Sequence, residues 1–209
     1  MKKITFVCTL LCVSLTASAQ WTGGLKVGLN LSQQKWDVSV DIPGVGSNSD
    51  TQKLKGTGFH VGGYLTKMIK ENISFQPELM YSQIKVDDED TELTLNYISL
   101  PVLFGYGVES NKLFFQAGPQ LGLLLSSDPS EMKEDEYMKS IDFSFVLGMS
   151  LNLDKLNFGA RYVFGITNIV QPKLINETEA ELETLFGPVD LDMSIKNNYF
   201  QLSVGYKLF

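Results

Sequence analysis

Apolar and polar residues alternate along most of the chain. In the stretch 199–208, Phe200, Leu202, Val204, Tyr206 and Leu208 form one set, and Tyr199, Gln201, Ser203, Gly205 and Lys207 the other. A period of two marks a strand with two unlike faces. The same alternation recurs at 23–32, where Leu25, Val27, Leu29 and Leu31 oppose Lys26, Gly28, Asn30 and Ser32. It returns at 57–67, 73–82, 93–107, 112–125, 141–153 and 156–168. Eight strands are therefore expected. Pro77, Pro101 and Pro119 fall inside them, each removing a ladder hydrogen bond and marking an irregularity.

The connections alternate in length. Segment 33–56 is polar, carries Pro43, Gly44 and Gly46, and reads as a long loop. Segment 68–72 is tight. The acidic run at 87–90 marks a second loop, 109–111 a turn, 126–140 a third loop and 154–155 a turn. Segment 169–196 reads as a last long loop, with a short helix at 177–186. Long and short connections in strict alternation predict an all-β, eight-stranded antiparallel up-and-down transmembrane β-barrel with long loops at one end. Periodicity does not say which face is outside. Glycine does: Gly28, Gly62, Gly118, Gly122, Gly148, Gly159, Gly165 and Gly205 share the polar face, and small residues suit the crowded inside of a narrow barrel. The bulky apolar set then faces lipid, with Tyr106, Phe143, Tyr162 and Tyr206 near strand ends as an interfacial girdle. A soluble or periplasmic lipid-binding barrel, with the faces reversed, is the alternative.

Composition sharpens the location. Met1-Lys2-Lys3, an apolar run at 4–15 and Ala17-Ser18-Ala19 form a secretory signal peptide. The domains expected are 1–19, cleaved after Ala19, and 20–209, the barrel. Cys8 and Cys12 leave with the leader, so the remainder has no disulfide and no cysteine-ligated metal. The formal charge of −7 becomes −9, which excludes nucleic acid as a natural partner. The acidity is concentrated in the loops: 87–92 carries −5, 126–140 carries −3 and 169–196 carries −4. Divalent cations or an extracellular ligand are the candidate occupants of such loops, since hard cations favour carboxylate oxygens.

GLKVGLNLS at 24–32, GFHVGGYL at 58–65, FQPELMYSQ at 75–83, YISLPVLFGYG at 97–107, FFQAGPQLGLLL at 114–125 and RYVFGITNI at 161–169 resemble the PorT-like small outer-membrane β-barrel proteins of Bacteroidota. The resemblance implies the barrel fold, the outer membrane, contact with its lipid, and handling by barrel-assembly machinery during biogenesis. It implies no catalytic residues and no cofactor. Two departures stand out: Ser99 replaces the acidic residue common in strand four of the family, and Phe209 falls on the inward parity, one place past Leu208.

The inward parity carries Lys26, His60, Glu78, Asp142, Arg161 and Lys207, the candidate lumen polar network. Charges in a narrow barrel must pair, and Glu78 with Arg161, the one arginine, is the natural pair. An eight-stranded interior is just filled by side chains, which disfavours an open pore. His60, the one histidine, raises the alternative of a membrane-embedded lipid-modifying enzyme, but no G-x-S-x-G motif supplies a nucleophile.

Overall fold

The computed structural model describes residues 21–44, 46–87, 92–108, 112–128 and 138–209. Among these are nine strands and one helix: β1 (Trp21–Ile42), β2 (Gly46–Lys70), β3 (Ile73–Asp87), β4 (Glu92–Val108), β5 (Leu113–Asp128), β6 (Ile141–Leu153), β7 (Leu156–Gly165), α1 (Pro172–Phe186), β8 (Asp190–Lys196) and β9 (Tyr199–Lys207). The leader 1–19 and its cysteines, and the loop segments 88–91, 109–111 and 129–137, lie outside the described residues.

Every pairing is antiparallel and each strand from β1 to β7 pairs with the next. β7 then pairs with β9, and β9 returns to β1 at Gly24–Ser32. The sheet therefore closes on itself, which removes the free edges of an open sheet. The strand count differs from expectation at the closing element: β8 also lies on β1, further along, at Lys35–Asp41.

The hairpin β1–β2 is the main correction. The segment 33–56, expected as a loop, is strand up to Ile42 and again from Gly46, in unbroken register from Trp21↔Lys67 to Ile42↔Gly46. Trp36, Val38, Val40 and Ile42 alternate with Asp37, Ser39 and Asp41, a period-two pattern masked by the polar composition around it. Gly44, at φ 85°, takes the turn. Likewise Leu191, Met193 and Ile195 make β8 out of what reads as acidic loop. The helix starts at Pro172 instead of 177, since proline suits the first helical position. β7 ends at Gly165, short of the expected 168.

The faces sort cleanly. Leu25, Val27 and Leu29 are 51–59% exposed, while Lys26 is 4% and Asn30 0% exposed. Apolar side chains point out and polar ones in, the reverse of a water-soluble barrel. Near the short turns Phe75 meets Trp21 in a T-shaped contact and Phe104 at a tilt, and the ring centroids of Tyr162 and Phe164 lie 4.5 Å apart towards the loops. Phe209 does not follow the inward parity: β9 stops at Lys207, and Leu208 and Phe209 are both exposed. Each of the ladders β2–β3, β3–β4 and β4–β5 has a gap that contains a proline. Pairing skips Pro77 between β2 and β3, Pro101 between β3 and β4, and Pro119 between β4 and β5.

Inside, polarity changes along the axis. Towards the loops the inward residues turn apolar, and Ile84, Val86, Leu95, Val163, Ile169 and Ile195 form one cluster. Leu174 and Ile175 of α1, with Trp36 and Leu54, pack against it. The loop end is thus plugged by side chains, with α1 packed against the plug.

Candidate functional site

Midway along the barrel, three strands aim charges at one point. Glu78 on β3 accepts from Lys26 Nζ of β1 at 2.5 Å and from Arg161 Nη1 of β7 at 2.8 Å. Gln76 Nε2 donates to the same carboxylate at 2.8 Å. Arg161 Nε donates to Gln201 Oε1 at 2.5 Å. All three charged side chains are at most 6% exposed. The arrangement satisfies the rule that buried charge needs both a partner and further hydrogen bonds. An ammonium and a guanidinium face one carboxylate, so the cluster holds a surplus positive charge.

The sequence makes room for these side chains. A Cβ on Gly148, beside Arg161 in the sheet, would collide with the Arg161 side chain. One on Gly28 would strike the His60 ring at 2.6 Å. Gly→Ala at either place would push the network apart.

Above the triad, Gln201 Nε2 donates to Asn30 Oδ1 at 2.7 Å, and Asn30 Nδ2 donates to Ser82 Oγ at 3.0 Å. His60 Nδ1 sits 2.8 Å from Asn30 Oδ1, with the ring 0% exposed. Its Nε2 faces the Gly28 backbone and has no hydrogen-bond partner among the described residues. The ring is enclosed by the lumen network. Asp142 belongs to a separate group: Asn197 Nδ2 donates to its Oδ2 at 3.0 Å and to Tyr97 Oη at 3.1 Å, and Gln34 Nε2 donates to Asn197 Oδ1 at 2.5 Å. Lys207 joins neither group. It is exposed at the turn-end rim, because β9 ends there.

Lys26, Glu78 and Arg161 are therefore brought together, His60 stands one hydrogen-bonded layer away, Asp142 is separate and Lys207 is outside. Asn30, Gln34, Gln76, Gln201 and Asn197 complete the networks and were missed as site residues. Four of these five lie on strands at inward parity, the one available signal; Asn197 lies in the break between β8 and β9.

No group of three or more His, Cys, Asp or Glu suited to a metal occurs among the described residues. Of the acidic loops, the described part is mostly α1 and β8. Glu177 pairs weakly with Lys173 at 3.6 Å, and both are half exposed.

A closed antiparallel ring with an apolar exterior and a buried charged centre narrows the comparison to membrane barrels. The family model described as outer membrane protein beta-barrel domain matches residues 16–171. The chain belongs to this family. The family and the outward apolar band together point to the outer membrane. Among solved structures, the outer membrane protein OprG from Pseudomonas aeruginosa is similar at TM-score 0.50 and 14% identity, covering 91% of this chain and 96% of that one. Neisserial surface protein A aligns at TM-score 0.46 and 14% identity, over 88% and 97%. Ail, the attachment invasion locus protein of Yersinia pestis, aligns at TM-score 0.42 and 11% identity, over 90% and 99%. At such identities OprG speaks for the fold alone. No curated protein matches the chain.

Proposed function

We propose that the chain is a non-enzymatic outer-membrane barrel with a side-chain-filled lumen, whose working surface is its acidic loop end. β8 and β9 count as one interrupted strand, which gives eight positions in the ring. The loop end faces the cell exterior and the turns face the periplasm, following the general asymmetry of such barrels. Export by the 1–19 leader and kinship with the PorT-like proteins of Bacteroidota belong to the same reading. The acidic loops engage divalent cations or an extracellular ligand, in a structural or adhesive role.

The observation that carries this reading is the Lys26–Glu78–Arg161 cluster, which draws β1, β3 and β7 together across the lumen beneath the apolar plug. A barrel crossed by a buried ion cluster and sealed above it has no aqueous channel to offer. Planar-bilayer recordings of the pure refolded protein test it. Absence of stable large conductance is expected, and a stable open pore would overturn the filled lumen.

A further inference from the structure

The interior is not filled along its whole length. At the turn end a cavity of about 280 Å³ opens between Lys155 and Lys207, walled by Tyr64, Ser74, Gln116 and Asn157. It has room for on the order of nine waters, or a solute of similar size.

Its electrostatics favour an anion. Lys155 and Lys207 are exposed and have no ion-pair partner among the described residues. Asp154 is the one acid lining the cavity. Below, Gln76 lines the wall and hands a hydrogen bond to Glu78, the lone carboxylate of the two-cation cluster. Lys67, Lys70 and Lys112 lie at this same end, with Glu71 in the turn beside Lys70.

A second observation is independent of charge. Ser74 is 1% exposed, and its Oγ has no hydrogen-bond partner among the described residues. A buried hydroxyl left unpaired is costly, and a bound acceptor removes that cost.

We propose that the cavity binds a small phosphate-bearing solute. The phosphate sits between the two rim ammoniums, and a short hydroxylated body reaches Gln116 and Asn157 and draws the Ser74 hydroxyl away from Gly105 into the cavity. Two rim cations above a surplus positive charge suit a dianion better than a single carboxylate. Carboxamides and hydroxyls on the wall suit a polyol better than an apolar tail. The same chemistry comes from a free phosphate ester or from a phospholipid headgroup.

The test uses the full chain refolded in neutral detergent, titrated with glycerol 3-phosphate, with glycerol as control. Calorimetry reads the affinity, and amide shifts at Ser74, Gln116 and Asn157 read the place. Saturable binding of glycerol 3-phosphate but not of glycerol is expected. The exposed pair K155A/K207A lowers affinity by about tenfold, as loss of two charge-assisted contacts requires. S74A lowers it by about threefold with no loss of thermal stability, since the hydroxyl holds nothing in the free protein. No saturation below about 10 mM, equal binding of glycerol, or indifference to K155A/K207A overturns the proposal. Nanodiscs of phosphatidylglycerol against phosphatidylcholine identify the source. Weakened glycerol 3-phosphate binding in phosphatidylglycerol supports a headgroup occupant, and equal binding in both supports a free ester.

Discussion

Glu78 is the residue on which the interior turns. It answers two cations at once, so its removal leaves Lys26 and Arg161 as unpaired like charges. Glu78→Ala is expected to cost about 3–5 kcal/mol, the penalty of breaking a buried pair from one side. Lys26→Met leaves a balanced Glu78–Arg161 pair and should cost clearly less. Urea unfolding in detergent micelles measures both, and equal losses would refute a two-cation cluster. A second residue reports on pH. At the protruding tip, Asp37 accepts from Lys35 Nζ at 2.8 Å and from Thr51 Oγ1 at 2.7 Å. The Lys35 hydrogen bond, followed by that from Thr51, holds its carboxyl below the usual value. A depressed carboxylate stabilises the fold above its unfolded pKa and ceases to as pH falls through the folded one. Amide protection across Trp36–Ile42, taken relative to the intrinsic exchange rate at each pH, should therefore fall only below about pH 4, and should already be reduced at neutral pH in Asp37→Asn. Unchanged protection in acid would remove Asp37 as a clasp.

At the scale of elements, β8 is held by its ladder to β1 and, from the other side, by Asn168. Asn168 Oδ1 accepts from the Val170 and Ile195 amides at 3.1 and 3.0 Å, and its Nδ2 donates to Met193 O at 2.8 Å. Asn168→Ala should cost about 1–3 kcal/mol for each backbone group left unpaired. Exchange in β8 should quicken while β9 stays protected; equal quickening in both would mean that they unfold as one. The same elements show what was legible from the chain. Strands with a clean two-residue alternation, such as β5 and β6, were placed within a few residues, because each step reverses the facing environment. The tip of β1 was not. Its apolar residues are spaced by serine and aspartate near a proline and two glycines, and composition outweighed periodicity there. The candidate site was legible as a set of inward charges, but not as a geometry. Parity brings Lys26, Glu78 and Arg161 to the lumen, and only the stagger between strands decides that Asp142 meets Asn197 instead. Lys207 has inward parity too, yet the strand ends beneath it.

For the whole molecule, the outward band of Leu, Val and Phe defines the solvent that the fold requires. The protein should resist extraction without detergent and migrate faster on gels before boiling than after it. Leu29→Lys, on the exposed apolar face, should cost about 2–4 kcal/mol if it lies at the bilayer midplane. Refolding yields in lipid vesicles measure the loss, and no loss would argue that this face meets water. Loop-end acids and turn-end lysines also oppose each other along the barrel axis.

The three proline gaps have a mechanical consequence. Pro77, Pro101 and Pro119 interrupt three successive ladders on neighbouring strands, so the wall carries a line of missing rungs between β2 and β5. The β1–β2 ladder has none. Under a pulling force the wall should yield hairpin by hairpin, with the β3–β4 hairpin leaving at lower force than β1–β2. Single-molecule extraction from a supported bilayer resolves those steps, and replacing Pro101 by Val should raise the force of the weaker one.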